Sequence, residues 1–211
     1  MENDERKELL QSFCSDNELH KTMLHPYLHG DYVCATDAHS ILLLPATEED
    51  RQQYSEDEKK APIMKQYLSA KTEFQSFLHI EFLKSEYDKI QMRISEIDDT
   101  CRDCKGRGTV EYEYWSEDDR EKYTLNGECP VCNGTGKRDI QELITSRENR
   151  MDITPKYSFS INRLSDIIRA MGFFKKEKCT LLKECTSSGI PFHIVEPEFH
   201  LIIMPSLNND D

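Results

Sequence analysis

The sequence predicts an α+β fold: one domain ordered helix, strands, helix, strands, split by a mainly helical and cysteine-rich insertion. Three observations carry this. Apolar residues fall at helical spacing near the N-terminus and again from residue 161. Short apolar runs bounded by turn residues follow each of those helices. Between the two halves lie a strongly charged stretch and two C-x-x-C pairs. The expected boundaries are 1–46 for the first half, 47–100 for the mainly helical insertion, 101–138 for the cysteine segment, and 139–211 for the connection and second half.

In chain order, Leu9, Leu10 and Phe13 follow acidic residues suited to a helix N-terminus, so residues 4–13 are expected to be helical. Val33–Ala35 and Ile41–Leu44, separated by Asp37-Ala38-His39, predict hairpin strands. TEEDRQQYSEDEKKAP reads as an exposed connection. Between Ile63 and Leu83 the apolar positions recur near a 3.6 period and predict one or two helices, whereas Ile90, Met92 and Ile94 alternate like a strand. Val110, Tyr112 and Tyr114 alternate with glutamates ahead of KYTL, which predicts a hairpin. Ile161, Leu164, Ile167, Ile168 and Met171 form one helical face, with Asn162, Arg163, Asp166 and Arg169 opposite. CTLLKEC, PFHIVE and FHLIIMP read as three closing strands.

Composition narrows the function. No apolar run approaches the roughly 20 residues a membrane span requires, so no membrane partner is expected. MENDERKELL lacks the basic start and apolar stretch of a secretory signal, which points to a cytoplasmic chain with reduced thiols. A formal charge of -13 opposes phosphate binding by the molecule as a whole, so any DNA contact must be local or topological.

Of eight cysteines, Cys14, Cys34, Cys179 and Cys185 lie singly among apolar neighbours and read as small core residues. The other four sit in CRDCKGRG at 101–108 and CPVCNGTG at 129–136, two copies of C-x-x-C-x-G-x-G. Cys101, Cys104, Cys129 and Cys132 thus supply four thiolates, the ligand set of a closed tetrahedral zinc site with no position for a catalytic water. Gly106, Gly108, Gly134 and Gly136 let the chain curl and aim amides at the sulfurs. Arg102, Lys105, Arg107, Lys137 and Arg138 flank the pairs. They either offset the net negative charge of a zinc tetrathiolate or offer a local nucleic-acid contact.

The cysteine segment resembles the zinc domain of DnaJ-type chaperones over about 40 residues. That family's domain has four repeats and two zinc ions, so two repeats imply one zinc ion per chain. A J-domain is not implied, since His25-Pro26 is followed by Tyr27.

The flanking segments resemble the bacterial DNA sliding clamp, the β subunit of the replicative polymerase. DYVCATDAHSILLLP at 31–45 is similar to the clamp's V-A-T-D-G-H-R-L stretch, with Ala38 and Ser40 in place of Gly and Arg. ITPKYSFSINRLSDIIRAM and PFHIVEPEFHLIIMPSL resemble its later helix and its terminal strands ending in Met-Pro. The resemblance implies one DNA-clamp-like domain, with Arg163 and Arg169 on a DNA-facing helix. It also implies a peptide groove near Met204, Pro205 and Leu207 for replication proteins, and self-association or other partners if a ring is to close. His25 and His29, near Pro26 and Gly30, read as turn histidines. Asp37 and His39 read as shaping a turn, and no partnered nucleophile or phosphate loop is present. The rings of Tyr112, Tyr114 and Trp115 read as a hairpin's hydrophobic face. The expected function is a noncatalytic zinc-binding accessory protein of DNA replication or maintenance. The alternative is a zinc-stabilised protein-interaction or chaperone-like adaptor that does not bind DNA.

Overall fold

The structure is a computed structural model and describes residues 3–96, 98–118, 120–138, 149–185 and 191–208. The architecture is α+β. The chain divides into two compact units, one formed by Met1–Ile90 with Arg150–Asp211 and the other by Gln91–Asn149. No helix among the described residues is long and apolar enough to cross a membrane.

The first unit opens with α1 (Asn3–Gln11) and a 3-10 turn (Glu18–Met23). There follow β1 (Tyr27–His29), β2 (Tyr32–Thr36), β3 (Ser40–Pro45), α2 (Glu48–Gln53), α3 (Ala61–Leu68), β4 (Thr72–His79) and α4 (Ile80–Ser95), whose last turn belongs to the second unit. After the second unit come β7 (Arg150–Thr154), β8 (Tyr157–Ser160), α5 (Ile161–Phe173), β9 (Lys178–Glu184), β10 (Phe192–Val195), β11 (His200–Ile203) and β12 (Ser206–Leu207). Seven strands form one antiparallel sheet in the order β1-β2-β3-β11-β10-β9-β4, and β12-β8-β7 form a smaller one. The hairpin and the three closing strands therefore lie where the apolar runs placed them. Chain ends far apart in sequence meet at the β3–β11 pair, where Ile41 faces Ile202.

The core follows from alternation. Met64 of α3 packs with Tyr27, Cys34, Leu43 and Ile202, against which Tyr67 and Leu68 also lie. Leu9, Leu10 and Phe13 are buried at the α1 end, as are Ile161, Leu164, Ile167 and Met171 of α5, and α1 meets both β2 and α5. The stretch read as an exposed connection contains α2, whose capping box joins Thr47 and Asp50. Asp50 also takes a buried ion pair from Arg6 at 2.9 Å, which ties α2 to α1.

Three expectations are corrected. Residues 72–79 are a strand rather than a helix, because a β-bulge between Phe74 and Ser76 shifts the alternation. Phe74 and Phe77 then share a face with ring centroids 5.0 Å apart, and a three-residue spacing imitates a helix. Ile90, Met92 and Ile94 belong to α4, which buries Ile90 and leaves Met92 exposed. Among the single cysteines, Cys34 and Cys179 are buried, but Cys14 is half-buried and Cys185 exposed, since each lies past the end of its helix or strand.

A turn and a histidine pair complete the core unit. Ala38, at the tip between β2 and β3, has φ 78°, a left-handed conformation that costs a Cβ-bearing residue about 1 kcal/mol. Ala38→Gly is expected to stabilise the core unit by about 0.5 kcal/mol at most, after the greater freedom of glycine in the unfolded chain, about 0.4–1 kcal/mol, is set against the relieved strain. A thermal melt checks this, and an unchanged or lower midpoint contradicts it. Deeper in the sheet, His193 Nδ1 lies 3.1 Å from His200 Nε2. Burial holds His200 down at about 4, so that ring is neutral at neutral pH.

A candidate metal centre and an apolar cavity

In the second unit, two identical turns face each other across the four cysteines. The Cys101 amide donates to the Gly136 carbonyl and the Cys129 amide to the Gly108 carbonyl, both at 2.8 Å. Each knuckle is therefore closed by the other. Within each, Gly106 donates to Cys101 O at 3.2 Å and Gly134 to Cys129 O at 3.3 Å. Gly108 and Gly136 each have φ 74°. A Cβ on Gly108 would stand 2.3 Å from Gly134 O, and one on Gly136 would stand 2.4 Å from Gly106 O. Both the dihedral and the close approach require glycine.

The four thiols are buried, and their sulfurs lie within 4.8 Å of one another. Cys101 and Cys129 sulfurs are 3.8 Å apart, and those of Cys104 and Cys132 are 3.7 Å apart. A disulfide needs about 2.05 Å. Sulfurs at tetrahedral corners about 2.3 Å from an ion lie about 3.8 Å from one another, so the donor set fits a tetrahedral metal. Backbone amides spread the sulfur charge: Gly108 donates to Cys104 Sγ at 3.3 Å and Gly136 to Cys132 Sγ at 3.2 Å. The Cys104 amide, with lesser help from that of Asp103, draws the Cys101 thiol down to about 7.

The flanking bases are largely engaged within the knuckles. Lys137 pairs with Asp99 at 2.8 Å, Arg138 donates to Asp98 O at 2.6 Å, and Arg107 Nε donates to Cys104 O at 3.1 Å. Arg102, Lys105, Arg107 and Lys137 are all exposed, and Arg138 is half-buried. From the hinge of each knuckle rise β5 (Thr109–Ser116) and β6 (Glu121–Glu128), the expected hairpin.

In the first unit, α5 turns its first two turns toward the β2–β3 tip and buries Arg163 and Asp166, which the helical periodicity had set on an outer face. Arg163 grips Asp37 through both guanidinium nitrogens, at 3.1 and 2.7 Å, and reaches Asp166 at 3.1 Å. Ser40 Oγ donates to Asp166 at 2.7 Å and also accepts from Arg163. Burial works against the Asp37 charge, yet Arg163 and the amides of His39 and Ser40 hold its carboxyl below the usual range. For Asp166 burial prevails and raises it despite Arg163. Asp37 thus shapes the turn as expected. Arg163 is spent within this network, while Arg169, 41% exposed, pairs with Asp166 at 3.6 Å, donates to Ser12 O at 3.1 Å and lies 5.9 Å over the Phe13 ring.

Beside the same turn lies an apolar cavity of about 240 Å³, walled by Tyr27, Thr36, Ala38, Ile41, Met64 and Tyr67, with exposed Ile63 at its edge. Sequence reasoning missed these residues. Their helical and strand spacing marks them as apolar, but only the topology brings α3 against β2 and β3. Lys60 lines the cavity with its ammonium 3.8 Å over the Tyr27 ring and paired to Asp57 at 3.2 Å. Met204 is half-buried and its amide donates to His39 O at 2.8 Å, which joins the chain's last strands to this turn. Pro205 is half-buried and Leu207 exposed on β12; neither lines the cavity.

No family model matches the sequence, and no curated protein matches it. Solved structures to which the chain is similar include the DNA polymerase III β subunit of Thermotoga maritima, at 9% identity and a TM-score of 0.47, covering 99% of this chain and 65% of that one. The β subunit of Borrelia burgdorferi, solved with a natural product, gives 11% and 0.43, covering 95% and 61%. The sliding clamp of Caulobacter crescentus gives 11% and 0.43, covering 98% and 64%. The chain spans less than two thirds of the length of each of these proteins.

Proposed function

We propose that this is a noncatalytic, zinc-binding accessory protein of DNA replication or maintenance that takes a short apolar peptide in the cavity beside the β2–β3 turn. The observation that carries this reading is the coincidence of the cavity with the segment 31–45, whose sequence resembles the sliding clamp. Thr36, Ala38 and Ile41 of that segment wall the cavity, and Met204 is bonded to its turn. The volume suits one or two apolar side chains rather than a drug-sized ligand. One zinc ion, held by Cys101, Cys104, Cys129 and Cys132, supplies the fold of the second unit and no chemistry of its own.

A peptide rich in Leu and Phe is expected to bind in the micromolar range or weaker, about -8 kcal/mol or less favourable. An NMR titration should shift Ile41, Met64 and Tyr67 together with 202–207, and Ile63→Asp should weaken binding about tenfold. Absence of shifts at millimolar peptide leaves these residues as core alone.

A second reading, a zinc-stabilised protein-interaction adaptor without DNA binding, is favoured by the local engagement of Arg107, Lys137, Arg138 and Arg163. On the first reading Arg102 and Lys105, with Arg107, Lys137 and Arg169, which are exposed though locally bonded, are the bases available to DNA. A duplex titration at two salt concentrations separates the readings, because phosphate contacts weaken steeply with salt.

A further inference from the structure

The hairpin β5–β6 carries rings that a two-stranded ribbon cannot bury. Pairing sets Tyr112 opposite Leu125, Tyr114 opposite Tyr123 and Ser116 opposite Glu121, all on one face. Tyr114 and Tyr123 stack with centroids 5.7 Å apart and planes 24° apart. Tyr112 lies across Gly127, where a Cβ would stand 2.8 Å from the ring, and its hydroxyl donates to Glu128 O at 2.6 Å. These contacts hold the rings without covering them. Tyr114 is 53% exposed and Leu125 60%, so the burial expected of a hairpin's apolar face is not found. Rigid aromatic side chains that are already ordered lose little entropy when a partner covers them.

Charge identifies the kind of partner. Glu121 ends the tyrosine row, Glu117 and Asp118 lie in the turn beyond it, and Glu111 and Glu113 point from the opposite face. The nearby cations are Arg120 and Lys122, and Lys122 is already bound to Glu113 at 2.6 Å. An acidic ribbon repels phosphates and draws cations onto the electron-rich faces of its rings. We propose that the Tyr112–Tyr114–Tyr123–Leu125 face docks an extended segment of a partner protein in which Arg or Lys alternates with apolar residues. Guanidinium or ammonium groups lie over the tyrosines, an apolar residue meets Leu125, and Glu121 takes the cation at the end of the row. This surface is separate from the apolar cavity and requires no DNA.

The test uses the full chain in its metal-loaded form and three probes: a synthetic nonapeptide alternating Arg and Leu, the same peptide with Gln for Arg, and a single-stranded oligonucleotide. Binding is followed by NMR of the backbone amides. The Arg peptide is expected to shift residues 110–127 saturably and to bind about tenfold more tightly than the Gln peptide, equivalent to about 1.4 kcal/mol. Tyr114→Thr, which keeps a strand-forming residue, should weaken it about tenfold. Glu121→Gln should weaken it severalfold while leaving the metal content at that of the parent. If Tyr114→Thr loses metal, Glu121→Gln decides. Equal binding of the two peptides, no effect of Glu121→Gln, or tighter binding of the oligonucleotide to the same amides would overturn the proposal.

Discussion

Replacing Cys101 or Cys132 by serine is expected to abolish metal binding and unfold the knuckles and hairpin while the seven-stranded sheet stays intact. The magnitude is set by the ion: a structural zinc supplies on the order of 10 kcal/mol to modules of this size, far more than a two-stranded ribbon holds in reserve. Both knuckles should fail together. Cys101 and Cys129 amides bond across to Gly136 and Gly108, so a turn that loses its sulfur cluster also loses the partner that closes it. Elemental analysis of protein purified without chelator should give one zinc per chain, and NMR should show loss of the 101–138 signals in the variants with those of 27–45 retained. Two zinc ions per chain, or none, would contradict the assignment.

Arg163→Met is expected to destabilise the core unit by about 2–3 kcal/mol, because it leaves the buried Asp166 and half-buried Asp37 carboxylates around a missing cation, with the Asp37 share reduced by solvent screening. Asp37 is held below its ordinary range in the folded protein, so its contribution is present above the unfolded value and fades as pH falls through the folded one. The gap between parent and variant should therefore narrow on acidification into the carboxylate range. Urea unfolding at pH 7 and pH 4 measures both quantities. A loss below about 1 kcal/mol at pH 7 would show that the network does little for the fold.

Elements whose sidedness is a local matter were legible in the sequence. Leu164, Ile167 and Met171 announce the buried stripe of α5, and Val33 and Leu42–Leu44 announce their strands, because burial of one face imposes the period. The cysteine centre was legible for a different reason: thiolate spacing and paired glycines encode a geometry closed within 38 residues, 101–138. What failed depends on partners remote in sequence. Arg163 and Asp166 look like solvent-facing residues until Asp37 and Ser40, more than 120 positions earlier, arrive beside them. Phe74 and Phe77 imitate a helix because nothing local reveals the bulge between them. The apolar cavity has walls on the first three strands and α3, and no periodicity within one segment records that meeting. The segment between Arg138 and Asn149 lies outside the described residues, as does that between Cys185 and Pro191.

The hairpin leaves the cysteine centre as two adjacent strands, with Thr109 paired to Glu128 directly after Gly108 and directly before Cys129. The centre consequently works as a clasp at the root of a ribbon, and closure asks only that the two strand ends arrive side by side. Insertions or deletions that add or remove whole cross-strand pairs toward the tip keep that condition. The ribbon can therefore lengthen, shorten or change its aromatic face without disturbing the four-cysteine cluster at its root, which separates the part of the unit free to diversify from the part that must stay fixed.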